Sequence, residues 1–306
     1  MKARDWSLLL LLSLLWGGTF YFYKVLDDAG LPPLTIVLGR VGIAAVVLLL
    51  VMRLRRLRLP SRLTEWIPFI FLAITNNIIP FLLISWGETQ ISSGLASILN
   101  ATTPIFTAIV AHVATKDERF LVNSIVGIAL GFLGILVLVG PEAVRGLSLH
   151  SVAQLGCLSA GISYAFAAVY GRRFRNTAPI VVSTCQLTVS ALVALPLELI
   201  IDRPWTLAMP SEGTWAAMIA MAVLATSAAY ILYFALIIHA GAVNASLVTL
   251  LVPAVALILG GLFLHEHLGL GTVAGMALIL IGLVALDGRL TKAVRRSRLL
   301  ESINAS

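Results

Sequence analysis

The side chains in this sequence that could do chemistry are amides, hydroxyls and aromatic rings that interrupt long apolar runs. Asn76 and Asn77 stand in the middle of one run, and Thr226, Tyr230 and Tyr233 stand in another. The last three are four and three residues apart, so they share one helical face. Ring faces beside hydroxyls and amides can bind an amphipathic solute. The same groups could instead hydrogen-bond neighbouring helices, and the sequence leaves both roles open.

Other runs supply further candidates. Trp16 and Thr19 share a helical face with Tyr23, and Trp16 lies deep in its run, where a binding role and a packing role are equally open. Polar side chains at membrane depth are costly unless they face other helices or a water-filled cavity. We therefore predict these substrate-binding residues: Trp16, Thr19, Asn76, Asn77, Asn100, Tyr164, Thr226, Tyr230 and Tyr233.

Two prolines stand at matching places in two copies of one segment. Pro104 directly follows Thr103, and Pro253 follows Thr249 in the second copy. A proline inside a helix removes one backbone donor and frees a carbonyl one turn earlier, so it bends the helix. The recurrence favours a hinge or gate at Pro104 and Pro253, although simple bends would leave the same pattern.

Charged residues are scarce within the runs. Arg40 has no acid in its own run, so it must pair with a carbonyl, with another helix or with an anionic group of a solute. No Asp or Glu lies near the centre of a run, and proton coupling normally requires a carboxylate or histidine in the path. The sequence therefore favours downhill export or exchange, with proton antiport as the alternative.

The sequence does not contain the residue patterns that several classes of chemistry require. The triplet from His265 to His267 does not have the spacing of a helical zinc site, and Cys157 and Cys185 have no metal-ligand spacing. No phosphate-binding glycine-rich loop ends in Lys-Ser or Lys-Thr, which excludes ATP hydrolysis. We therefore expect no metal, no cofactor and no enzymatic activity.

The composition is that of an integral membrane protein. Of the 306 residues, 59% are apolar and only 11% are charged. Ten runs are long enough to span a bilayer as helices, and they are too long and continuously apolar to be barrel strands. They are residues 6–23, 34–52, 65–86, 92–114, 121–140, 150–170, 179–200, 213–237, 242–264 and 270–287.

The distribution of Lys and Arg gives the orientation. Basic residues cluster in alternate loops, whereas the intervening loops carry only Lys24, Arg145 and Arg203. By the positive-inside rule both termini are cytoplasmic, and the net charge of +7 reflects topology rather than nucleic-acid binding. The first run resembles a secretory signal, but no small-residue cleavage site follows it, so we predict that it is retained as a helix.

A repeat organises the chain. Residues 93–140 and 242–287 share an Ala-Ser pair seven residues before the proline, and Glu118 matches Glu266. Each half holds five runs, so the second half must enter the membrane from the opposite side. We predict a first repeat, 1–145, an inverted second repeat, 146–290, and a basic cytoplasmic tail, 291–306. Glycines in the last helix of each half predict that these two helices pack together: Gly127, Gly131 and Gly134 with Gly271 and Gly275.

Taken together, these residues resemble a family. The paired Ala-Ser start, mid-helix proline, following glutamate and spaced glycines, with Leu15-Trp16-Gly17-Gly18-Thr19-Phe20 and Arg40, are similar to the ten-helix, EamA-type branch of the drug/metabolite transporter superfamily. The resemblance covers essentially the whole chain. It implies a bacterial inner-membrane exporter of small metabolites such as amino acids, similar to YddG-type aromatic amino acid exporters.

The function expected from the sequence is secondary transport by alternating access, since inverted repeats with a shared central site are typical of such carriers. Amino acids with apolar or aromatic side chains are the favoured substrates. The alternatives are a carrier for drugs or for other metabolites such as nucleotide precursors, and a passive channel. The expected partners are a small-molecule substrate and the lipid bilayer, without nucleic acid, and the expected state is a monomer.

Overall fold

Long apolar runs leave the backbone no partner but itself in a membrane, so each run closes its hydrogen bonds within a helix. The computed structural model describes residues 3–114, 122–139, 148–240, 248–266 and 269–287, and within these ranges all regular structure is helical. The predicted basic tail, 291–306, and the repeat residues Glu118, Ala245 and Ser246 lie outside the described residues.

We label the described helices by the predicted run to which each belongs. They are α1, Ala3–Asp28; α2, Pro33–Leu54; α3, Ile67–Leu72 and Ile79–Glu88, on either side of a π-helical turn, Ala73–Ile78; α4, Ser93–Asn100 and Thr103–Ala114; α5, Val122–Val139; α6, Leu149–Gly171; α7, Pro179–Ile201; α8, Glu212–Ala222 and Ala229–Ala240, on either side of a second π-helical turn, Val223–Ala228; α9, Val248–Phe263; and α10, Leu270–Asp287.

Seven helical stretches among the described residues are long and apolar enough to cross a membrane: Ala3–Asp28, Pro33–Leu54, Leu63–Glu88, Ser93–Ala114, Leu149–Phe174, Pro179–Ile201 and Glu212–Tyr233. Three further apolar helices are shorter: Ile125–Leu138, Leu251–Phe263 and Leu270–Ala285. The all-helical fold predicted from the sequence is confirmed, and these helices are those of a membrane protein. Ten spans, inverted halves and cytoplasmic termini stay predictions.

Local sequence sets where several helices begin. Each of three N-cap serines accepts a hydrogen bond from the backbone of the first helical turn: Ser92 at α4, Ser148 at α6 and Ser211 at α8. The helices α2 and α7 begin instead with proline, Pro33 and Pro179, whose missing N–H costs nothing at that position.

The two π-helical turns, Ala73–Ile78 and Val223–Ala228, each lie in the middle of the third helix of a half. A π-turn takes up one residue more than an α-turn and loosens the local backbone pairing, and such turns are frequent at functional sites. Neither turn was predicted from the sequence. Polar side chains of α3 and α8 are concentrated in and next to these turns.

The two predicted hinge prolines differ in their surroundings. The helix α4 is interrupted directly before Pro104, whereas α9 runs continuously through Pro253. At the break in α4 the Thr102 hydroxyl donates to the carbonyl of Leu99 over 2.6 Å, which occupies a backbone acceptor near the interruption. A break therefore accompanies the proline in the first half only, and a hinge role stays a prediction for both.

The helices α5 and α10 pack backbone against backbone. A Cβ on Gly134 would lie 2.8 Å from the carbonyl oxygen of Gly275, and a Cβ on Gly282 would lie 2.7 Å from that of Gly127. Residues other than glycine would force these helices apart. The predicted packing of these two helices is confirmed. Gly271, which the sequence placed in the same contact, instead faces open space.

A carboxylate from the second half of the chain caps a helix of the first half. Glu266 follows α9 and accepts hydrogen bonds from the backbone N–H of Ser93 (2.7 Å), the Ser93 hydroxyl (3.0 Å) and the N–H of Gly94 (3.1 Å). The first N–H groups of a helix have no partner within it, and they favour a negative charge. Glu266 therefore stabilises the start of α4 and ties it to α9.

We expect Glu266→Ala to lower the free energy of unfolding by about 1 to 3 kcal/mol, since it leaves charge-assisted donors without an acceptor. Thermal unfolding of the purified protein in detergent measures this. Glu266→Gln keeps one acceptor oxygen and should lose less, whereas Glu212→Ala, at an exposed position, should change little. Equal melting temperatures for the wild type and Glu266→Ala would contradict the assigned role.

Candidate functional site

Hydrogen bonds join eight polar side chains from five helices, and we call this set the polar cluster. It consists of Tyr23 from α1, Arg40 from α2, Asn76 and Asn77 from α3, Gln186 and Ser190 from α7, and Thr226 and Tyr230 from α8. The cluster contains two hydrogen-bonded groups. One surrounds Arg40, the other surrounds the two asparagines, and α8 contributes one residue to each.

Arg40 is the charged residue of the polar cluster, and its side chain is 6% exposed. Its Nε donates to the hydroxyl of Thr226 over 3.0 Å, and its Nη1 donates to the hydroxyl of Tyr23 over 2.7 Å. Both acceptors are uncharged. A guanidinium carries five N–H donors in a planar fork, so the described partners occupy only part of its capacity.

An aromatic ring supports the Arg40 guanidinium from one side. Its Cζ lies 3.8 Å from the centroid of the Phe81 ring and 5.3 Å from that of the Tyr23 ring. A cation over a ring face in a desolvated place gains about 2 kcal/mol. No carboxylate among the described residues forms an ion pair with Arg40. The guanidinium is therefore held by neutral partners, with its charge uncompensated by any of them.

The second group of the cluster is built on α3. The Asn77 amide, fully buried, donates to the Ser190 hydroxyl over 2.9 Å, and the Asn76 amide donates to Gln186 Oε1 over 3.2 Å. The hydroxyl of Tyr230 lies 3.5 Å from the Asn76 amide nitrogen and 3.4 Å from Asn77 Oδ1. These two contacts are long for hydrogen bonds, so each of them is weak.

The π-helical turns explain how these side chains reach one another. In a π-turn, some backbone carbonyls lose the N–H four residues later that would be their partner in an α-helix. The Ser163 hydroxyl of α6 donates to the carbonyl of Thr75 over 2.7 Å, and the Thr226 hydroxyl donates back to the carbonyl of Met221 over 3.2 Å. Side-chain hydroxyls thus satisfy a backbone carbonyl at each π-helical turn, beside Asn76 and at Thr226.

Aromatic side chains lie beside the cluster. The rings of Trp16 and Tyr233 are 5.2 Å apart between centroids, so α1 and α8 present one aromatic pair. Tyr164 adjoins Ser163, whose hydroxyl bonds the carbonyl of Thr75 next to Asn76, so it lies near the cluster. Seven predicted binding residues are thus in or beside it: Trp16, Asn76, Asn77, Tyr164, Thr226, Tyr230 and Tyr233.

The remaining predicted residues are not members of the polar cluster. Thr19 and Asn100 each carry a buried oxygen without a hydrogen-bond partner among the described residues, Thr19 Oγ1 and Asn100 Oδ1. Pro104 and Pro253 lie in α4 and α9, neither of which contributes to the cluster. Two hydrogen-bond acceptors thus remain for a solute or water near α1 and α4.

Four cluster residues were outside the predicted set. Tyr23 was placed on the face of Trp16 and Thr19 but was not predicted to bind, and Arg40 was left with three possible partners. Gln186 stands as far from Pro179 as Arg40 does from Pro33, so the repeat pointed to it. Ser190 gave no signal beyond being a polar residue within an apolar run.

The profile of the EamA-like transporter family matches residues 6–140 and again residues 151–286. The uncharacterized transporter YoaV of Bacillus subtilis is 25% identical over 273 residues, which are 89% of this chain and 92% of that protein. The uncharacterized inner membrane transporter YedA of Escherichia coli is 27% identical over 254 residues, covering 81% of this chain and 79% of YedA.

Two further proteins extend the comparison. An uncharacterized transporter of Archaeoglobus fulgidus is 27% identical over 288 residues, which are 92% of this chain and 97% of that protein. A protein of known crystal structure has a TM-score of 0.65 and 15% identity, covering 97% of this chain and 99% of that one. At that identity the likeness concerns the fold alone.

Proposed function

The chain belongs to the EamA-like transporter family, and on that premise we propose that it exports small carboxylate-bearing metabolites, above all amino acids with apolar or aromatic side chains. Transport would cross the bacterial inner membrane by alternating access between two inverted five-helix halves. The solute would bind at the polar cluster. The proposal includes ten spans, cytoplasmic termini and a monomeric carrier in the lipid bilayer.

The observation that carries this proposal is the state of Arg40. A buried guanidinium without a paired acid is costly in a low-dielectric interior, and it persists where a function requires it. Arg40 has donors to spare, and a carboxylate accepts two parallel N–H bonds from a guanidinium. An anionic group of the solute would therefore supply the compensation that the described protein groups do not.

The remainder of the cluster fits the rest of an amino acid. The amide oxygens of Asn76 and Asn77 are uncharged acceptors that an ammonium group could use. Trp16 and Tyr233 offer an aromatic pair that suits an apolar or aromatic side chain. These neutral groups from α1, α3 and α8 would orient the bound amino acid without adding a second fixed charge to the site.

The same arrangement disfavours two of the alternatives. A cationic drug would be repelled by the Arg40 charge at close range. A nucleotide precursor with several negative charges would need more than the one cation that the cluster provides. A passive channel is distinguished by its kinetics, since a carrier saturates and shows acceleration of flux by solute on the opposite side.

The test is a binding and counterflow screen. Purified protein would be titrated calorimetrically with the twenty amino acids, with nucleoside monophosphates and with a cationic drug such as ethidium. Proteoliposomes would then be assayed for saturable counterflow of each solute that binds. Saturable counterflow of aromatic or branched apolar amino acids supports the proposal. Binding confined to cations or nucleotides would refute it, and non-saturable flux would indicate a channel.

We expect Trp16→Leu to weaken binding of phenylalanine and tryptophan about three- to tenfold more than binding of valine, because the lost ring contacts contribute about 0.5 to 1.5 kcal/mol beyond buried area. Competition binding of the three amino acids measures this ratio. Trp215→Leu is the matched control, since Trp215 is 45% exposed at the start of α8. An equal loss for all three amino acids would show that Trp16 only packs.

A further inference from the structure

Glu88 is a carboxylic acid that the cluster does not use. It is the last residue of α3, its side chain is 0% exposed, and neither Oε1 nor Oε2 has a hydrogen-bond partner among the described residues. Of the acidic side chains that the structure describes, it is the one whose two oxygens are both buried and unpartnered. Nothing in the carrier described so far assigns it a role.

The surroundings of Glu88 keep water away without compensating its charge. Gly87 packs so tightly against α6 that a Cβ there would lie 2.6 Å from the Sγ of Cys157. The Nζ of Lys24 donates to the Glu88 backbone carbonyl over 3.2 Å, while it pairs with the carboxylates of Asp27 and Asp28. Lys24 thus pairs with two other carboxylates and not with that of Glu88.

Charged and titratable groups act on Glu88 from several packed elements. They are Tyr23, Lys24 and Asp27 from α1, Arg40 from α2, Cys157 from α6, and Glu266 from the segment after α9. Both cations are hydrogen-bonded to other groups, and the two other acids oppose a charge on Glu88. A negative Glu88 in this place has little to stabilise it.

An ionised carboxylate in a dry site costs so much that the group normally takes up a proton instead. Glu88 therefore has the chemistry of a proton carrier: the carboxylate accepts one proton when buried, and the carboxylic acid gives it back when water or a cation reaches it. Ser85, one turn earlier on α3, carries a second buried oxygen without a hydrogen-bond partner among the described residues.

Helix α1 connects Glu88 with the binding site. Tyr23 accepts a hydrogen bond from Arg40, and the next residue, Lys24, donates to the backbone carbonyl of Glu88. A solute carboxylate bound to Arg40 changes the net charge at the cluster, so it changes how readily Glu88 holds its proton. Such linkage is reciprocal, and the proton must in turn change the affinity for the solute.

We propose that Glu88 is a proton-binding site that couples transport by this carrier to proton movement. The coupling rests on the proposed function, whereas the proton site itself does not. The uncoupled transport predicted from the sequence makes the opposite prediction. Glu88 was missed because the predicted third run ended at residue 86, whereas the helix continues to Glu88 and buries it.

The proton site can be tested without any solute. A carboxyl that is neutral in the folded protein and ionised in the unfolded chain makes the fold lose stability as pH rises, so wild-type melting temperatures should fall as the pH is raised above about 4.3, where a glutamate in the unfolded chain ionises. E88Q should lack the part of this decrease in melting temperature that is due to Glu88. The exposed control Glu212→Gln should behave like the wild type. Identical pH dependence in E88Q and wild type would overturn the proposal.

Coupling is tested in proteoliposomes that enclose a pH-sensitive dye. Addition of an amino acid that supports counterflow should move protons with the wild type and with Glu212→Gln, but not with E88Q. Wild-type affinity for that amino acid should change by up to about tenfold per pH unit, the limit for one titrating group, and E88Q should abolish the change. No proton movement, or a dependence on sodium instead, would overturn the coupling.

The two proposals fail separately. If no amino acid supports counterflow, the proposed function is wrong, and the pH dependence of the melting temperature still decides whether Glu88 binds a proton. If counterflow is present and the proton signal is unchanged in E88Q, the function stands and Glu88 is not its proton site.

Discussion

Replacing Arg40 with glutamine is expected to weaken binding of carboxylate-bearing solutes about 30- to 1,000-fold, or about 2 to 4 kcal/mol. The substitution removes the positive charge and three of the five N–H donors. Truncating one partner of a buried charge pair has this effect because the other charge is left desolvated and unpaired. Calorimetric titration of the wild type and Arg40→Gln with the amino acids found in the screen measures the loss.

Two controls separate the charge from its geometry. Arg40→Lys keeps the charge but loses the planar fork, so it should retain part of the affinity and lose the preference for a carboxylate over a smaller anion. Arg58→Gln removes one positive charge at an exposed position and should leave binding unchanged. If Arg40→Gln binds as tightly as the wild type, the solute does not use this residue, and the proposed site is wrong.

Stability distinguishes a functional Arg40 from a structural one. A structural guanidinium would be part of an ion pair, and its removal would destabilise the fold strongly. Arg40 has neutral partners only among the described residues, and the cost of burying its unpaired charge offsets its hydrogen bonds and ring contact, so Arg40→Gln should leave the melting temperature nearly unchanged. A large fall in melting temperature together with lost binding would assign Arg40 to the framework.

The second large effect is expected at the contact between α5 and α10. Gly134→Ala should lower the free energy of unfolding by about 1 to 3 kcal/mol, because the added methyl would meet the Gly275 carbonyl oxygen at 2.8 Å and the Ile279 nitrogen at 2.9 Å. Neither backbone atom can yield without separating the two helices. Thermal unfolding in detergent measures the loss.

Gly271→Ala is the matched control because it adds the same methyl to α10 in open space. There the better helix propensity of alanine should leave stability unchanged or raise it by about 1 kcal/mol at most. Similar melting temperatures for the two variants would mean that α5 and α10 do not pack through their glycines.

The helices and this glycine contact could be predicted because their signals are local. A run of about twenty apolar residues has few ways to satisfy its backbone in a membrane, so length and composition suffice. Gly134 and Gly275 were informative because a glycine in such a run has little purpose except close approach. Gly271 carried the same signal without such a contact, which shows the limit of spacing alone.

The site could be predicted only in part. Asn77 and Tyr230 were identified from their cost at membrane depth, and the structure brings them together. Ser190, the partner of Asn77, could not be deduced, because pairing across helices depends on how α3 and α7 pack. For Arg40, the choice between binding a solute and forming an ion pair could be made only once its actual partners were known. Glu88 was missed because the helix is two residues longer than the predicted run.

The extra residue in the π-turn of α3 sets the direction in which the side chains after the turn point. An α-helix turns by about 100° per residue, so the stretch after Ala73–Ile78 is rotated by about that angle from where a continuous α-helix would put it. Deleting one residue there would swing Phe81, Ser85 and Glu88 together toward another neighbour while Leu72 stayed in place. Length variation in this short stretch is therefore far more damaging than in a loop, and each half of the chain carries such a stretch.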